Sequence, residues 1–194
     1  MRSRLKLRPF LMVFGLFLAI IILPLLLNMR TKSVDTKVST AYTQGSFIKE
    51  IAPLAQKLSD SYGIKASIII AHASLSSDYG SNLLAARYNN YTGTVAQVGQ
   101  PKIALKTQSY ENGQPLTIKQ PYAVYTDWQD SLYDYVAEIK SGMWGKQLYN
   151  SLATAEDYVT AARALQKAGV RSDTNYADEL ISVIQQHNLT KYDK

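Results

Sequence analysis

The chain predicts an α+β domain of two lobes, mostly helical with a small antiparallel sheet lobe, set behind one transmembrane helix. Three observations carry that reading. Residues 10–27 are apolar apart from Gly15 and Pro24 and follow a basic flank. Apolar residues recur at helical spacing from Phe47 to Leu75 and again from Leu132 onward. Between these, residues 93–126 alternate Val, Ile, Thr and Tyr with polar residues, broken by turn signals.

The N-terminal element comes first. Residues 1–29 comprise a flank carrying Arg2, Arg4, Lys6 and Arg8 and then the apolar run. Eighteen helical residues span about 27 Å, enough for the hydrocarbon core of a bilayer. No small-residue cleavage signal follows, since the exit reads Leu27-Asn-Met-Arg30. This fits an uncleaved signal anchor, and the cations favour a cytoplasmic N-terminus. The expected location is therefore the cell membrane, single-pass, with the C-terminal domain extracytoplasmic. Residues 30–44 are polar and rich in Thr, Ser and Lys, which reads as a tether.

Residues 45–194 form the domain. The net charge of +6 arises outside it: from residue 44 onward there are 14 basic and 14 acidic residues. A neutral domain excludes nucleic acid as the implied partner. There are no cysteines, which excludes a disulfide framework and a thiolate metal site, and His72 and His187 are the only histidines. No cofactor is implied.

Within the domain, Ser46 is positioned to cap a helix carrying Phe47, Ile51, Leu54, Leu58 and Tyr62, kinked at Pro53 and stopped by Gly63. Ser67 is placed to cap a second helix whose Ile68, Ile69, Ile70, Ala71, Ala73 and Leu75 leave it almost no polar face, so it should be buried. On that helix His72, Ser76 and Tyr79 share a side by their i, i+4, i+7 spacing. A short helix covers 82–87. Asn112-Gly113 is a hairpin signal. Leu132, Tyr135, Val136 and Ile139 mark a later helix. Thr154 and Asp157 approximate a capping box for a helix ending at Gly169, and a last helix runs from about Asn175 to His187.

Residues Ser67–Gly80, followed by Ser81-Asn-Leu-Leu-Ala85 and Asn89-Asn-Tyr-Thr-Gly93, resemble the bacterial cell-wall glucosaminidases of glycoside hydrolase family 73. That family's pattern is roughly S-x-x-x-A-Q-A-x-L-E-S-x-W-G-x-S-x-L-A, then N-N-L-F-G. The resemblance extends over about residues 46–193 and implies a lysozyme-like fold with a groove between the lobes. It also implies two carboxyl groups, a proton donor and a base or nucleophile. The donor position falls on Ser76. The second lies in a pattern close to T-x-E-Y-x-N-G, matched by Thr107, Tyr110, Asn112 and Gly113 with Ser109 at the glutamate. The family's G-Y-A-T-D-x-x-Y-A reads Gly169-Val-Arg-Ser-Asp-Thr-Asn-Tyr-Ala177, and the Phe of N-N-L-F-G is Thr92.

A serine hydroxyl cannot act as a general acid near neutral pH. No catalytic residue is therefore assigned, although Glu111, on the same strand face as Ser109, is a candidate displaced acid. Asp78 is i+2 from Ser76 and points elsewhere on a helix. The expected substrate-binding set is His72, Tyr79, Asn90, Tyr110 and Tyr176; Tyr122 and Tyr125 are further candidates for lining a groove. Three readings follow from the resemblance. The first is a membrane-anchored, non-cleaving binder of peptidoglycan glycan strands with a regulatory role. The second is an active endo-β-N-acetylglucosaminidase using a displaced carboxylate. The third is an interaction module for cell-wall synthesis or lytic proteins.

Overall fold

The structure is a computed structural model that describes residues 14, 16–22, 31–39, 43–111 and 113–193. It divides into two units, Met1–Lys32 and Ser33–Lys194. In the first, residues 14 and 16–22 are helical. The rest of the expected span at 10–27 lies outside the described residues. Among the described residues no helix is long and apolar enough to cross a membrane.

The second unit is a mostly helical α+β fold. Helix α1, Gln44–Tyr62, starts one turn before the expected cap: Thr43 is the N-cap, and Ser46 completes the capping box by accepting from the Thr43 N–H at 2.8 Å. Pro53 is exposed and sits within the helix without ending it. Gly63 ends it at φ 72°, its N–H donating to the Ser59 carbonyl. Helix α2, Ala66–Ser77, is buried along almost its whole length, as its composition predicts. Its N-cap residue, Lys65, gives no side-chain bond. Instead Asp193, near the far end of the chain, accepts from the Ser67 N–H at 2.8 Å and from Ser67 Oγ at 2.7 Å. A carboxylate at a helix N-terminus satisfies free amides and complements the dipole.

Helix α2 stops at Asp78 and Tyr79, both with left-handed φ of 49° and 52°. Helix α3, Leu83–Tyr88, follows with Asn82 as its cap, and Asn89 closes it. Strands β1, Lys102–Glu111, and β2, Gln114–Ala123, form a two-stranded antiparallel sheet with Glu111 opposite Gln114, so the turn has two residues as Asn-Gly predicts. Asn112 lies outside the described residues.

Helices α4 (Trp128–Ser141), α5 (Lys146–Ala153), α6 (Tyr158–Lys167) and α7 (Tyr176–Gln186) complete the helical lobe, followed by a 3₁₀ turn at Leu189–Tyr192. Asp157 caps α6 alone, accepting from the Thr160 N–H, and Thr154 terminates α5. Phe47, Ile51, Ile68, Ile69, Leu132, Tyr135, Leu165, Leu180 and Ile184 belong to one core that encloses α2. A second cluster joins Val34 to Leu83, Leu84, Leu105 and Tyr122. Within the segment expected as a tether, residues 33–38 thus run along the sheet lobe: the Val34 N–H donates to the Lys106 carbonyl at 2.8 Å, and Val38 N–H to that of Ser81 at 2.8 Å.

Candidate active-site groove

A groove of about 460 Å³ lies between the helical lobe and the hairpin. Helix α2 contributes His72, Leu75 and Ser76; the loop after α3 contributes Thr92, Gly93 and Thr94. Strand β1 contributes Thr107, Gln108, Ser109 and Tyr110, helix α4 Tyr135 and Glu138, and the segment after α6 Val170 to Asp173. Ser76 and Ser109, separate in sequence, thus border one cavity.

Gly93 is needed where it stands. Its φ is 70°, and a Cβ there would meet the Ser76 Cβ at 3.8 Å, so this loop runs close over Ser76. From the other side, Arg171 Nη1 donates to Ser76 Oγ at 3.5 Å, and its guanidinium lies 5.7 Å from the Tyr176 ring centroid. Ser172 Oγ links this segment to the hairpin, accepting from the Tyr110 N–H at 3.1 Å and lying 3.4 Å from Ser109 Oγ.

Beneath the groove is a neutral polar stack. His72 is 3% exposed. Its Nε2 donates to the Thr92 carbonyl at 3.0 Å, which leaves Nδ1 to accept from the Tyr176 hydroxyl. Burial, reinforced by Arg171, pushes its pKa down to about 3, so the ring stays neutral at physiological pH. The ring stacks on Tyr135 at 3.9 Å. Burial likewise raises the pKa of Tyr176 and of Tyr135. The Tyr135 hydroxyl is buried without a hydrogen-bond partner among the described residues.

The expected site residues divide. His72, Tyr110, Ser76 and Ser109 border the groove, and Tyr110 is 41% exposed. Tyr122 borders it too, while Tyr125 donates to Asp134 Oδ2 at 2.7 Å outside the lining. Tyr79 lies outside it, because α2 ends before the third position of the i, i+4, i+7 series; its hydroxyl is 3.1 Å from His187 Nε2. Asn90 is fully buried and its amide is committed to backbone: Nδ2 donates to the Thr94 and Ala123 carbonyls at 2.9 Å each, and Oδ1 accepts from the Thr94 N–H at 3.1 Å. Tyr176 is fully buried and supports His72 rather than meeting the cavity. Glu111 is exposed at the hairpin end and outside the lining.

Three lining residues escaped the sequence reading. Glu138 is 4% exposed; burial pushes its carboxyl up to about 7, and Gln97 Nε2 donates to it at 3.4 Å. Its signal was a charge flanking the apolar stripe of α4. Trp144 gives the groove an aromatic wall, edge-on to Tyr135 at 6.4 Å, and was marked only by its place between Gly142 and Gly145. Arg171 stands where the family motif has alanine, beside the substitution at Val170.

Helical lobe, hairpin and intervening groove define a lysozyme-like domain of the glucosaminidase type. The family described as mannosyl-glycoprotein endo-β-N-acetylglucosaminidase matches residues 52–189, and the chain belongs to it. It is 31% identical over 172 residues to the exo-glucosaminidase LytG of Bacillus subtilis, covering 88% of this chain and 58% of that protein. It is 34% identical over 151 residues to a probable N-acetylmuramidase of Lactococcus lactis, covering 76% of this chain and 34% of the relative. The chain therefore spans well under two thirds of the length of these relatives. Among solved structures, the catalytic domain of the autolysin Auto from Listeria monocytogenes superposes with a TM-score of 0.68 at 29% identity, covering 81% of this chain and 92% of that one. A C-terminally truncated glycoside hydrolase domain of Salmonella typhimurium FlgJ gives 0.59 at 30%, covering 75% and 98%.

Proposed function

We propose that this chain is a membrane-anchored, wall-facing member of the glucosaminidase family that binds peptidoglycan glycan strands without cleaving them. The observation that carries this reading is the pair Ser76 and Ser109. Both stand at positions where the family motifs have glutamate, both border the groove, and Arg171 lies against the first. Glycosidic cleavage needs a protonated acid at the leaving oxygen and a second carboxylate across the bond, and neither serine can supply one. The groove offers surfaces suited to a sugar: Tyr110 and Trp144 supply aromatic faces, and Thr107 and Gln108 supply hydrogen-bonding groups. The Salmonella typhimurium relative FlgJ is named a peptidoglycan hydrolase, which supports peptidoglycan as the polymer.

Incubating the protein with purified peptidoglycan tests this directly. It should co-sediment, and Tyr110→Ala with Trp144→Ala should release it, while no reducing ends accumulate. Failure to co-sediment would favour the interaction-module reading. The anchor is tested separately: protease added to intact spheroplasts should destroy the domain, and protection would reverse the topology.

One observation favours a second reading, a residual hydrolase. Glu138 is buried at the groove and holds its proton near neutrality, the state a general acid needs. Any turnover that Glu138→Gln abolishes would establish it.

A further inference from the structure

We infer that the groove takes a carboxylate-bearing glycan, with the acid group held by the Arg171 guanidinium and the hydroxyls of Ser76, Ser109 and Ser172. This rests on the glycan-binding reading above and specifies its ligand. The positions that carry two carboxyl groups in the family motifs are here two hydroxyls, and a cation stands beside the first of them. Arg171 reaches Ser76 Oγ at 3.5 Å, and Ser172, its neighbour in sequence, lies 3.4 Å from Ser109 Oγ. One short segment thus touches both positions. The ion pairs among the described residues are Lys37–Asp78 and Arg163–Asp178, so Arg171 has no carboxylate within bonding distance. Its charge is felt at His72 and Tyr122, both of which border the groove.

The cation suits a carboxylate. A guanidinium presents a planar fork matched to two carboxylate oxygens, and serine hydroxyls rotate to donate to the same group. An ionised glutamate in either place would repel that ligand. The groove also limits how much negative charge it accepts. Asp35, Asp78, Glu138 and Asp173 line it, so a polyanion would meet four carboxyl groups. A mostly neutral N-acetylhexosamine strand with single acid groups fits both facts. In peptidoglycan that acid is either the lactyl carboxylate of a sugar freed of its peptide or a carboxylate of the attached peptide.

The test is titration calorimetry on the full chain in detergent with three tetrasaccharides. One is the neutral N-acetylglucosamine tetramer, one a peptide-free wall tetrasaccharide with free lactyl groups, and one the same strand bearing peptides. At least one acidic probe should bind about tenfold more tightly than the neutral one, the strength of one charge-assisted contact. Arg171→Gln should remove that advantage. An advantage confined to the peptide-free strand assigns the sugar carboxylate; one confined to the peptide-bearing strand assigns the peptide. Ser76→Asp, which pairs Arg171 internally, should also remove the advantage, so the conclusion survives a poorly folded Arg171→Gln. Equal affinity for neutral and acidic probes, or an advantage that persists in both variants, overturns the inference while leaving glycan binding intact. Binding of none of the three overturns the glycan-binding reading itself.

Discussion

Ser76→Glu places a carboxyl at the position of the family motif's glutamate and, on the proposed reading, should not by itself bring cleavage. Ser76 is 7% exposed and its Oγ is 3.5 Å from Arg171 Nη1, so a longer carboxyl side chain meets the guanidinium directly. At roughly 4 Å and an effective dielectric constant of about 20, the attraction is about 4 kcal/mol. Arg171 is exposed on its outer side, and solvent screening reduces this to about one to two pKa units of depression. An ordinary glutamate titrates near 4.3, to within about a unit. Held by Arg171, the introduced carboxyl stays ionised at neutral pH and has no proton to give a leaving oxygen. Adding Arg171→Ala removes the pull, and its pKa should rise by at least about one unit. Carboxyl-carbon NMR titration of both variants, with reducing-end release from peptidoglycan alongside, measures this. An introduced carboxyl that titrates above about 6 with Arg171 present would refute the reasoning.

Asn90→Ala leaves the Ala123 carbonyl and the Thr94 N–H without the amide that pairs them, at about 1 kcal/mol or more each, while the Thr94 carbonyl still accepts from the Ala123 N–H. It should lower Tm by roughly 4–8 °C for a domain of this size with glycan affinity of the folded protein unchanged, and an unaltered melt contradicts the structural role. Glu138 has a folded pKa raised to about 7, so the folded state holds a proton that the unfolded chain releases near 4.5. Its contribution is present below about pH 4.5 and is lost as pH rises through about 7. The Tm of Glu138→Gln should therefore gain on wild type across that window and run parallel outside it; a pH-independent gap argues against a buried, proton-holding carboxyl. Val34→Ala removes two methyl groups from the cluster with Leu83, Leu105 and Tyr122. A loss of roughly 1–2 kcal/mol is expected in urea unfolding, and no loss would mean that residues 33–38 do not hold the sheet lobe.

The helical lobe was legible because its signals are local. Gly63 ends α1, the all-apolar face of α2 marks a buried helix, and Asn112-Gly113 sets the hairpin register between Glu111 and Gln114. The cap of α2 was not legible, because Asp193 supplies it from 126 residues away. Helix α5 has no counterpart in the sequence reading: it is eight residues long and follows Gly142 and Gly145, both at positive φ. At the site, periodicity located Ser76 and His72 but failed at Tyr79, where two left-handed residues end the helix that the spacing assumed. Asn90 and Tyr176 lie in or near the family motifs, where polar residues suggest sugar contacts. Their side chains instead satisfy backbone carbonyls and a buried imidazole, partners no linear pattern displays. Arg171 and Glu138 acquire meaning only through neighbours brought in by folding: Ser76 for one, Gln97 for the other.

The most direct test of the central claim is a count of glycosidic bonds broken. Purified peptidoglycan, incubated to completion with an excess of the full chain, is reduced with borohydride and its new sugar ends are quantified by mass spectrometry. If Ser76 and Ser109 occupy the acid positions, as proposed, the count should equal that of a protein-free control while the protein stays bound to the polymer. New N-acetylglucosamine or N-acetylmuramic acid ends, accumulating with time and enzyme, would contradict the account.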